Sequence, residues 1–356
     1  MKAASTAIFA FAVLGLLLWH RTGYNEPQKE EDVPVYRPLL DDADFLAELD
    51  KSGSRGRNGI RIVAPGSGLH GDNTDKAYRL AQKMGVELPR GALDPEAVPY
   101  TANADEARLA MFLDALDDPE AEVLWALRGG YGSSRLLPEL ARRGLSRPKL
   151  FVGYSDMTFL HLFFQTRGWR TIHGSMFWEL SGSSAEDENF LILAELLSGG
   201  RKELRYDVLT PFNDAAKNAA LPLDGLLTGG NLTCIASAVG TPWQLDAGGK
   251  ILFLEDVKES GYKIDRMLTQ LRLAGQLDGV KAVVFGTFSR GDEHTNFSLE
   301  RFARECDIPI FKADIFGHGS KNYPLVFNAP AMLEKNDGRE GGVTLKIQAD
   351  QLPLGE

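Results

Sequence analysis

The sequence predicts an α/β protein with an N-terminal doubly wound, mostly parallel sheet domain, a smaller C-terminal α/β domain, and the active site between them. Three observations lead there. Apolar runs of strand length alternate with segments of helical period, the pattern of βαβ units that build a parallel sheet with helices on both faces. Glycine-rich or hydroxyl-bearing turns follow directly on several of those runs, so chemistry-bearing residues collect past strand ends, where open α/β sheets bind ligands. A charged, irregular stretch at 201–218 separates two such series.

The chain opens on Ala7-Ile8-Phe9-Ala10-Phe11-Ala12-Val13-Leu14-Gly15-Leu16-Leu17-Leu18-Trp19, with Lys2 before it and His20 and Arg21 after it. As a helix from Ala3 to Trp19 it would span about 26 Å at ~1.5 Å per residue, a little less than a hydrocarbon core of about 30 Å. No A-x-A-like cleavage site follows, which favours an uncleaved anchor over a removed signal. Weakly biased flanking charge then puts the body on the periplasmic side, anchored to the inner membrane or exported. Residues 22–59, rich in Glu, Asp, Pro and Gly, read as a polar tether. Next come a strand at 60–64, helices at 74–84 and 104–116, a strand at 122–127, a helix at 134–143, a strand at 149–153 and a helix at 158–166. These make a nucleophile domain over 60–176. After a connection at 177–220, a second domain over 221–350 carries strands at 223–227, 250–254, 280–285 and 343–347. Its helices are expected at 232–238, 264–273 and 299–305.

With 44% apolar and 25% charged residues, the chain of 356 has the make-up of a folded body. A formal charge of −10 and the lack of a clustered Lys/Arg stripe argue against nucleic acid as a partner. Cys234 and Cys306 have no zinc spacing and read as small buried apolar residues rather than as a pair. There is no H-E-x-x-H, so neither metal nor cofactor is expected. Arg128-Gly129-Gly130-Tyr131-Gly132-Ser133-Ser134-Arg135 has the strand–glycine loop–helix order of a dinucleotide site. It fails as one because Arg135 stands where the third glycine belongs and no acid ends the following strand about 20 residues on.

The chemistry concentrates at Phe151-Val152-Gly153-Tyr154-Ser155-Asp156-Met157-Thr158. There an apolar run stops on a small turn residue and a hydroxyl, then becomes helical, the setting of a nucleophile on a sharp bend beside free helix N–H groups. Taken alone, Ser155 reads more readily as a helix cap. Two distant segments shift the balance. Lys250-Ile251-Leu252-Phe253-Leu254-Glu255-Asp256 is a buried-strand pattern ending in two carboxylates on opposite faces. Asp314-Ile315-Phe316-Gly317-His318-Gly319-Ser320 holds an imidazole between two glycines. Ser155, Glu255 and His318 together supply the nucleophile, orienting acid and base that acyl transfer needs.

Read with Val63-Ala64-Pro65-Gly66-Ser67, Leu127 to Ser133, Ile172-His173-Gly174-Ser175-Met176 and Leu227-Thr228-Gly229-Gly230-Asn231-Leu232, these segments resemble the LD-carboxypeptidase family of serine peptidases. That family includes the muramoyltetrapeptide carboxypeptidases and the related microcin-immunity peptidases. The resemblance implies Ser155 as nucleophile, Glu255 as the orienting acid and His318 as general base. It also implies an oxyanion hole from the backbone N–H groups of Asp156 and Gly130. The family usually has proline where this chain has Ser175. The implied reaction is hydrolysis of an L,D-peptide bond in a murein peptide substrate, freeing terminal D-alanine from a tetrapeptide.

A carboxypeptidase must also meet a free carboxylate, and Arg128 is the candidate in the sequence, with a structural ion pair as its other role. Asn231 either lines the cleft or caps the following helix. An immunity-type peptidase acting on a peptide–nucleotide antibiotic is an alternative, with Trp178 or Trp243 as the base clamp, and a catalytically silent cell-wall binding protein is another. A homodimer is left open.

Overall fold

The computed structural model describes residues 59–352, apart from 90–92, 95, 146, 182–187, 337, 339–340 and 351. The expected membrane segment and tether lie outside them. In chain order the elements of the first half are β1 (Ile60–Val63), α1 (Asp72–Met84), α2 (Asp105–Asp117), β2 (Val123–Ala126), α3 (Leu137–Arg143), β3 (Leu150–Gly153), α4 (Thr158–Gln165) and β4 (Thr171–His173). Then follow α5 (Glu188–Leu197), β5 (Glu203–Pro211), α6 (Asp214–Lys217), β6 (Leu223–Asn231), α7 (Leu232–Ala238), β7 (Ile251–Val257), α8 (Gly261–Leu273), β8 (Ala282–Ser289) and α9 (Thr295–Arg304). Four strands close the chain: β9 (Ile310–Lys312), β10 (Leu325–Phe327), β11 (Pro330–Lys335) and β12 (Val343–Gln348). Among the described residues no helix is long and apolar enough to cross a membrane.

Strands β1 to β4 lie side by side in chain order and are parallel, with β10 antiparallel at the far edge. Every residue of β2 and β3 is buried, as a sheet covered on both faces requires. Alternation sorts the side chains. Ile60, Ile62, Trp125 and Val152 pack with Ala77, Leu80 and Met84 of α1. Val63, Leu124 and Phe151 pack on the other face with Phe112 of α2, Leu140 of α3 and Leu160 and Phe163 of α4.

The second half is a closed barrel in the order β11-β12-β5-β9-β8-β7-β6, with β6 to β9 parallel and the rest antiparallel. Its inner residues, among them Phe253, Val284, Phe311 and Leu345, share one core with Ile172 and Val326 of the first sheet. Because β10 belongs to the first sheet, with Leu325 opposite His173, the chain returns to its first half after building most of the barrel.

One expectation is corrected. The stretch 201–218 is not irregular: β5 is nine residues long and pairs with β12 and β9. Leu204 and Tyr206 point inward while Glu203, Arg205 and Asp207 stay exposed, a period of two that the run of charges masked, and a register shift against β12 then brings Leu209 inward in place of Val208. Closure into a barrel depends on strands far apart in sequence, so no local pattern announced it.

Candidate active site

β3 ends on Gly153, Tyr154 is still extended at φ −153°, and Ser155 turns to φ +64° at the start of a 3₁₀ turn, Ser155–Met157, that runs into α4. A positive φ on a residue with a Cβ costs about 1–3 kcal/mol and persists only where the surroundings over-determine it. This is the geometry of a nucleophile elbow, which lifts a hydroxyl clear of the backbone. Two buried side chains lock it in place. His161, one turn into α4, must donate through Nε2 to the Gly153 carbonyl (2.9 Å) and accept the Thr171 hydroxyl on Nδ1 (2.8 Å). Burial drops its pKa to about 4 and keeps it neutral. Asp156 accepts the Ser133 N–H at 2.8 Å while the Ser133 hydroxyl donates to its carbonyl at 2.7 Å. Burial raises the pKa of that carboxyl, and Ser133 opposes the rise.

The loop carrying Gly130 is braced from below. Ser67 N–H donates to the Gly129 carbonyl (2.8 Å), and Ser67 Oγ accepts the Tyr131 N–H (3.1 Å) and donates to the Tyr100 carbonyl (2.6 Å). Gly130 sits at φ +88°, and a Cβ there would lie 2.2 Å from Ser67 Oγ, so no other residue fits. Arg108, which sequence reasoning passed over, is fully buried in α2. It donates to the Pro65 carbonyl, to the Gly132 carbonyl (3.0 Å) and to Asp105 Oδ1 (2.5 Å). One guanidinium thus ties the 65–68 and 129–133 loops together. The signal was there, since a cation at 108 shares a helical stripe with Met111, Phe112 and Ala115.

Glu255 is fully buried near the end of β7, and its Oε2 accepts the His318 Nδ1–H at 2.6 Å and the His318 N–H at 3.2 Å. Gly317 makes this approach possible: at φ +90°, a Cβ on it would fall 2.6 Å from the same oxygen. Burial opposes a charged imidazole at His318, but the Glu255 hydrogen bond and the charges of Glu255, Glu179 and Asp256 carry its pKa above the usual value. Ser289 Oγ anchors the loop from β8 by donating to the His318 carbonyl.

The two adjacent acids of β7 do not diverge as strict alternation suggests. The register with β8 shifts between Leu254 and Asp256, and Asn231 Nδ2 donates to both Glu255 Oε1 (3.3 Å) and Asp256 Oδ1 (3.0 Å). Thr233 adds two donors to Asp256, at 2.9 and 2.8 Å. Burial and the neighbouring Glu255 push Asp256 up to about 6. Asn231 also caps α7 by accepting the Cys234 N–H (3.1 Å), so its side chain, 5% exposed, is spent inside the protein rather than lining a cleft. Its backbone N–H donates to Thr158 Oγ1 (3.0 Å), which joins the end of β6, the strand beside Glu255, to the start of α4.

The structure therefore brings the predicted residues to one place by two routes. Through Asn231, Thr158 and Cys234, whose Sγ lies 3.7 Å from the Ser155 carbonyl, the barrel touches the elbow. From the other side the His318 ring is 4.6 Å from the ring of Tyr154, the residue before Ser155. No hydrogen bond joins Ser155 Oγ to His318.

Arg128 is exposed at the end of β2 and donates to the Gly68 carbonyl at 2.7 Å, with no carboxylate partner among the described residues. Trp178 and Trp243 are half-buried and packed against the cores. Both cysteines are free. Among the described residues no group of three or more His, Cys, Asp or Glu side chains is arranged to hold a metal ion.

A further acid was not foreseen. Glu179 lies in the short 3₁₀ turn Phe177–Ser181 and accepts the Tyr154 hydroxyl at 2.5 Å, the Met176 N–H at 3.0 Å and the hydroxyl of Ser175. A single glutamate after an aromatic pair carries no pattern that could have found it.

Both halves of the chain match models of one family. Residues 60–174 match the model of the LD-carboxypeptidase N-terminal domain and residues 224–333 that of the LD-carboxypeptidase C-terminal domain. A Rickettsia conorii protein that carries the name carboxypeptidase is 42% identical over 281 residues, 78% of this chain and 88% of that protein. The murein tetrapeptide carboxypeptidase of Pseudomonas aeruginosa is 32% identical over 287 residues, 78% of this chain and 93% of that protein. The crystal structure of muramoyltetrapeptide carboxypeptidase from Oxalobacter formigenes superposes with a TM-score of 0.67 at 30% identity, covering 82% of this chain and 98% of that one. With both halves matched in order and the elbow, acid strand and histidine loop folded against one another, the chain belongs to the LD-carboxypeptidase family.

Proposed function

We propose that this carboxypeptidase hydrolyses the L,D-peptide bond before a terminal D-alanine of murein tetrapeptides, using Ser155, His318 and Glu255. The observation that carries the reading is the 2.6 Å bond from His318 Nδ1 to a fully buried Glu255, in a loop folded against the elbow of Ser155. With Nδ1 committed, Nε2 is the nitrogen left to act as base. It takes the Ser155 proton as Oγ attacks the peptide carbonyl, and Glu255 stabilises the imidazolium that results. The N–H groups of Asp156 and Gly130 receive the oxyanion; losing one such donor typically costs ~2.7–4 kcal/mol of transition-state stabilisation. His318 then gives the proton to the departing amine of D-alanine. Water, deprotonated by the same nitrogen, hydrolyses the acyl-serine and restores the Ser155 hydroxyl.

Arg128, whose guanidinium is exposed beside the Gly130 loop, supplies a cation for the substrate's terminal carboxylate. The test is release of D-alanine from a murein tetrapeptide by the purified chain beside Ser155→Ala. Release by wild type and loss by at least 10³-fold in the variant is the expected result, on the scale of removing a nucleophile. Equal release by both would remove Ser155 from the mechanism. The same reading places the enzyme outside the cytoplasm on an uncleaved N-terminal segment, and a mature N-terminus near Thr22 would refute the anchor.

A further inference from the structure

The base of this site faces more than one acid. Beside Glu255, which takes the Nδ1 hydrogen bond, His318 feels the charges of Glu179 and Asp256. Its remaining neighbours are accounted for. Tyr154 packs ring to ring from the elbow at 4.6 Å. His173 of β4, fully buried among Tyr154, Phe253 and Phe327, is held neutral by burial. Arg290, at the end of β8, is close enough for its charge to act on Tyr154. Asp256 is occupied by Asn231, Thr233 and the Val257 N–H, so it reaches His318 only as a distant charge.

Glu179 is different, because three donors converge on it. The Tyr154 hydroxyl (2.5 Å), the Met176 N–H (3.0 Å) and the Ser175 hydroxyl all point at its carboxyl group. Burial pushes the Glu179 pKa up, and the hydrogen bonds from Tyr154, Met176 and Ser175 together with the charge of His318 oppose the rise by favouring the ionised form. One donor is the Ser175 hydroxyl. The Ser175 carbonyl is itself fixed by Trp125 Nε1 at 2.9 Å, so that donor is built into the core. The second donor is Tyr154, whose ring stands between the acid and the imidazole. Nothing in the acyl-transfer cycle requires this carboxylate to touch substrate.

We propose that Glu179 is a positioning residue: a second carboxylate, held by Ser175, Met176 and Tyr154, that stabilises the imidazolium form of His318 across the Tyr154 ring and keeps that ring packed against it. Glu255 then orients the imidazole through a hydrogen bond, and Glu179 adds charge without one. The inference rests on the proposed role of His318 as base, so its test includes a readout independent of turnover.

The experiment follows the imidazole signals of histidine-labelled full-length protein by NMR against pH, with the His318 signal assigned through His318→Gln. In Glu179→Gln, which keeps the shape and removes the charge, the pKa of His318 falls by about one unit, a tenfold change in its proton affinity. Hydrolysis by the same variant shows the acid limb of kcat/KM displaced to lower pH by the same amount, with a plateau about tenfold lower. Glu179→Asp keeps the charge and restores most of the shift, which a merely structural role would not do. Should Glu179→Gln fail to fold, Tyr154→Phe removes only the hydroxyl. Glu179 then loses a donor, takes up its proton at higher pH, and the His318 pKa falls in the same direction.

An unchanged His318 titration in a folded Glu179→Gln or Tyr154→Phe protein overturns the inference. Absence of D-alanine release by wild type, with the titration shift present, would defeat the substrate reading and leave the electrostatic coupling standing.

Discussion

At the scale of single residues, the least ordinary feature is a serine with a left-handed backbone. Ser155 at φ +64° is strained because its Cβ crowds the neighbouring carbonyl, and glycine would not be. The strain gives two opposite expectations for one position. Ser155→Ala keeps the Cβ and leaves stability within about 0.5 kcal/mol of wild type, whereas Ser155→Gly gains about 1 kcal/mol, and neither hydrolyses substrate. Thermal or urea unfolding of the two variants checks this; a glycine variant less stable than the alanine one would show that the elbow stores no strain. The sequence located this residue but could not report its torsion, because a helix cap and an elbow present the same Ser-Asp pair until the strand before it and the loop beneath it are in place.

Among elements, the site depends on how two loops and two strand ends are fastened. Arg108 spans the 65–68 and 129–133 loops from inside α2, and no other buried cation performs that task among the described residues. Replacing it with Leu keeps the apolar stripe of α2 but leaves the Pro65 carbonyl without a donor, at about 1–3 kcal/mol, and the Gly132 carbonyl with only the Arg135 N–H. The expected outcome for Arg108→Leu is a stability loss of roughly 1–4 kcal/mol with kcat reduced more than KM is raised, because Gly130 would no longer be held where the proposed oxyanion hole needs its N–H. Unchanged unfolding and kinetics would show the loops to be self-supporting. Asn231 plays the matching part on the other side, with one amide serving a helix cap and two carboxylates. From sequence it offered a cap or a cleft residue; only the register shift of β7, which brings Glu255 and Asp256 to the same side chain, shows it holding the acid in place.

For the whole molecule, burial of titratable groups couples stability to pH, and the groups oppose one another. Asp256, with a folded pKa of about 6 against an ordinary 3.8, binds its proton more tightly in the folded state. Its contribution favours folding in acid and is lost as pH rises from about 4 to 6. His161 is shifted the other way, to about 4 from 6.5, so the stability it contributes is present above 6.5 and lost as pH falls toward 4. Shifts of roughly two units correspond to ~3 kcal/mol each, of opposite sign across one pH range. Asp256→Asn removes one side of that balance. Measured by urea unfolding, its stability relative to wild type should be lower at pH 4 than at pH 7 by up to ~3 kcal/mol. A pH-independent difference would mean that Asp256 titrates alike in both states.

The sequence by itself located three of the five strands of the first sheet, at 60–64, 122–127 and 149–153, to within a residue or so, along with the strand-to-helix turn at Ser155 and the acid and imidazole to look for, because periodicity and turn chemistry are local; the three-residue strands β4 and β10 are too short to show a period. The barrel, the strand hidden in 201–218, the return of β10 to the first sheet and the positions of Arg108, Asp256 and Glu179 were decided only by the tertiary structure. Closure of the barrel and the return of β10 rest on pairings between segments a hundred or more residues apart, and the three side chains on burial, which changes what a carboxylate or a guanidinium does without changing the letter that encodes it.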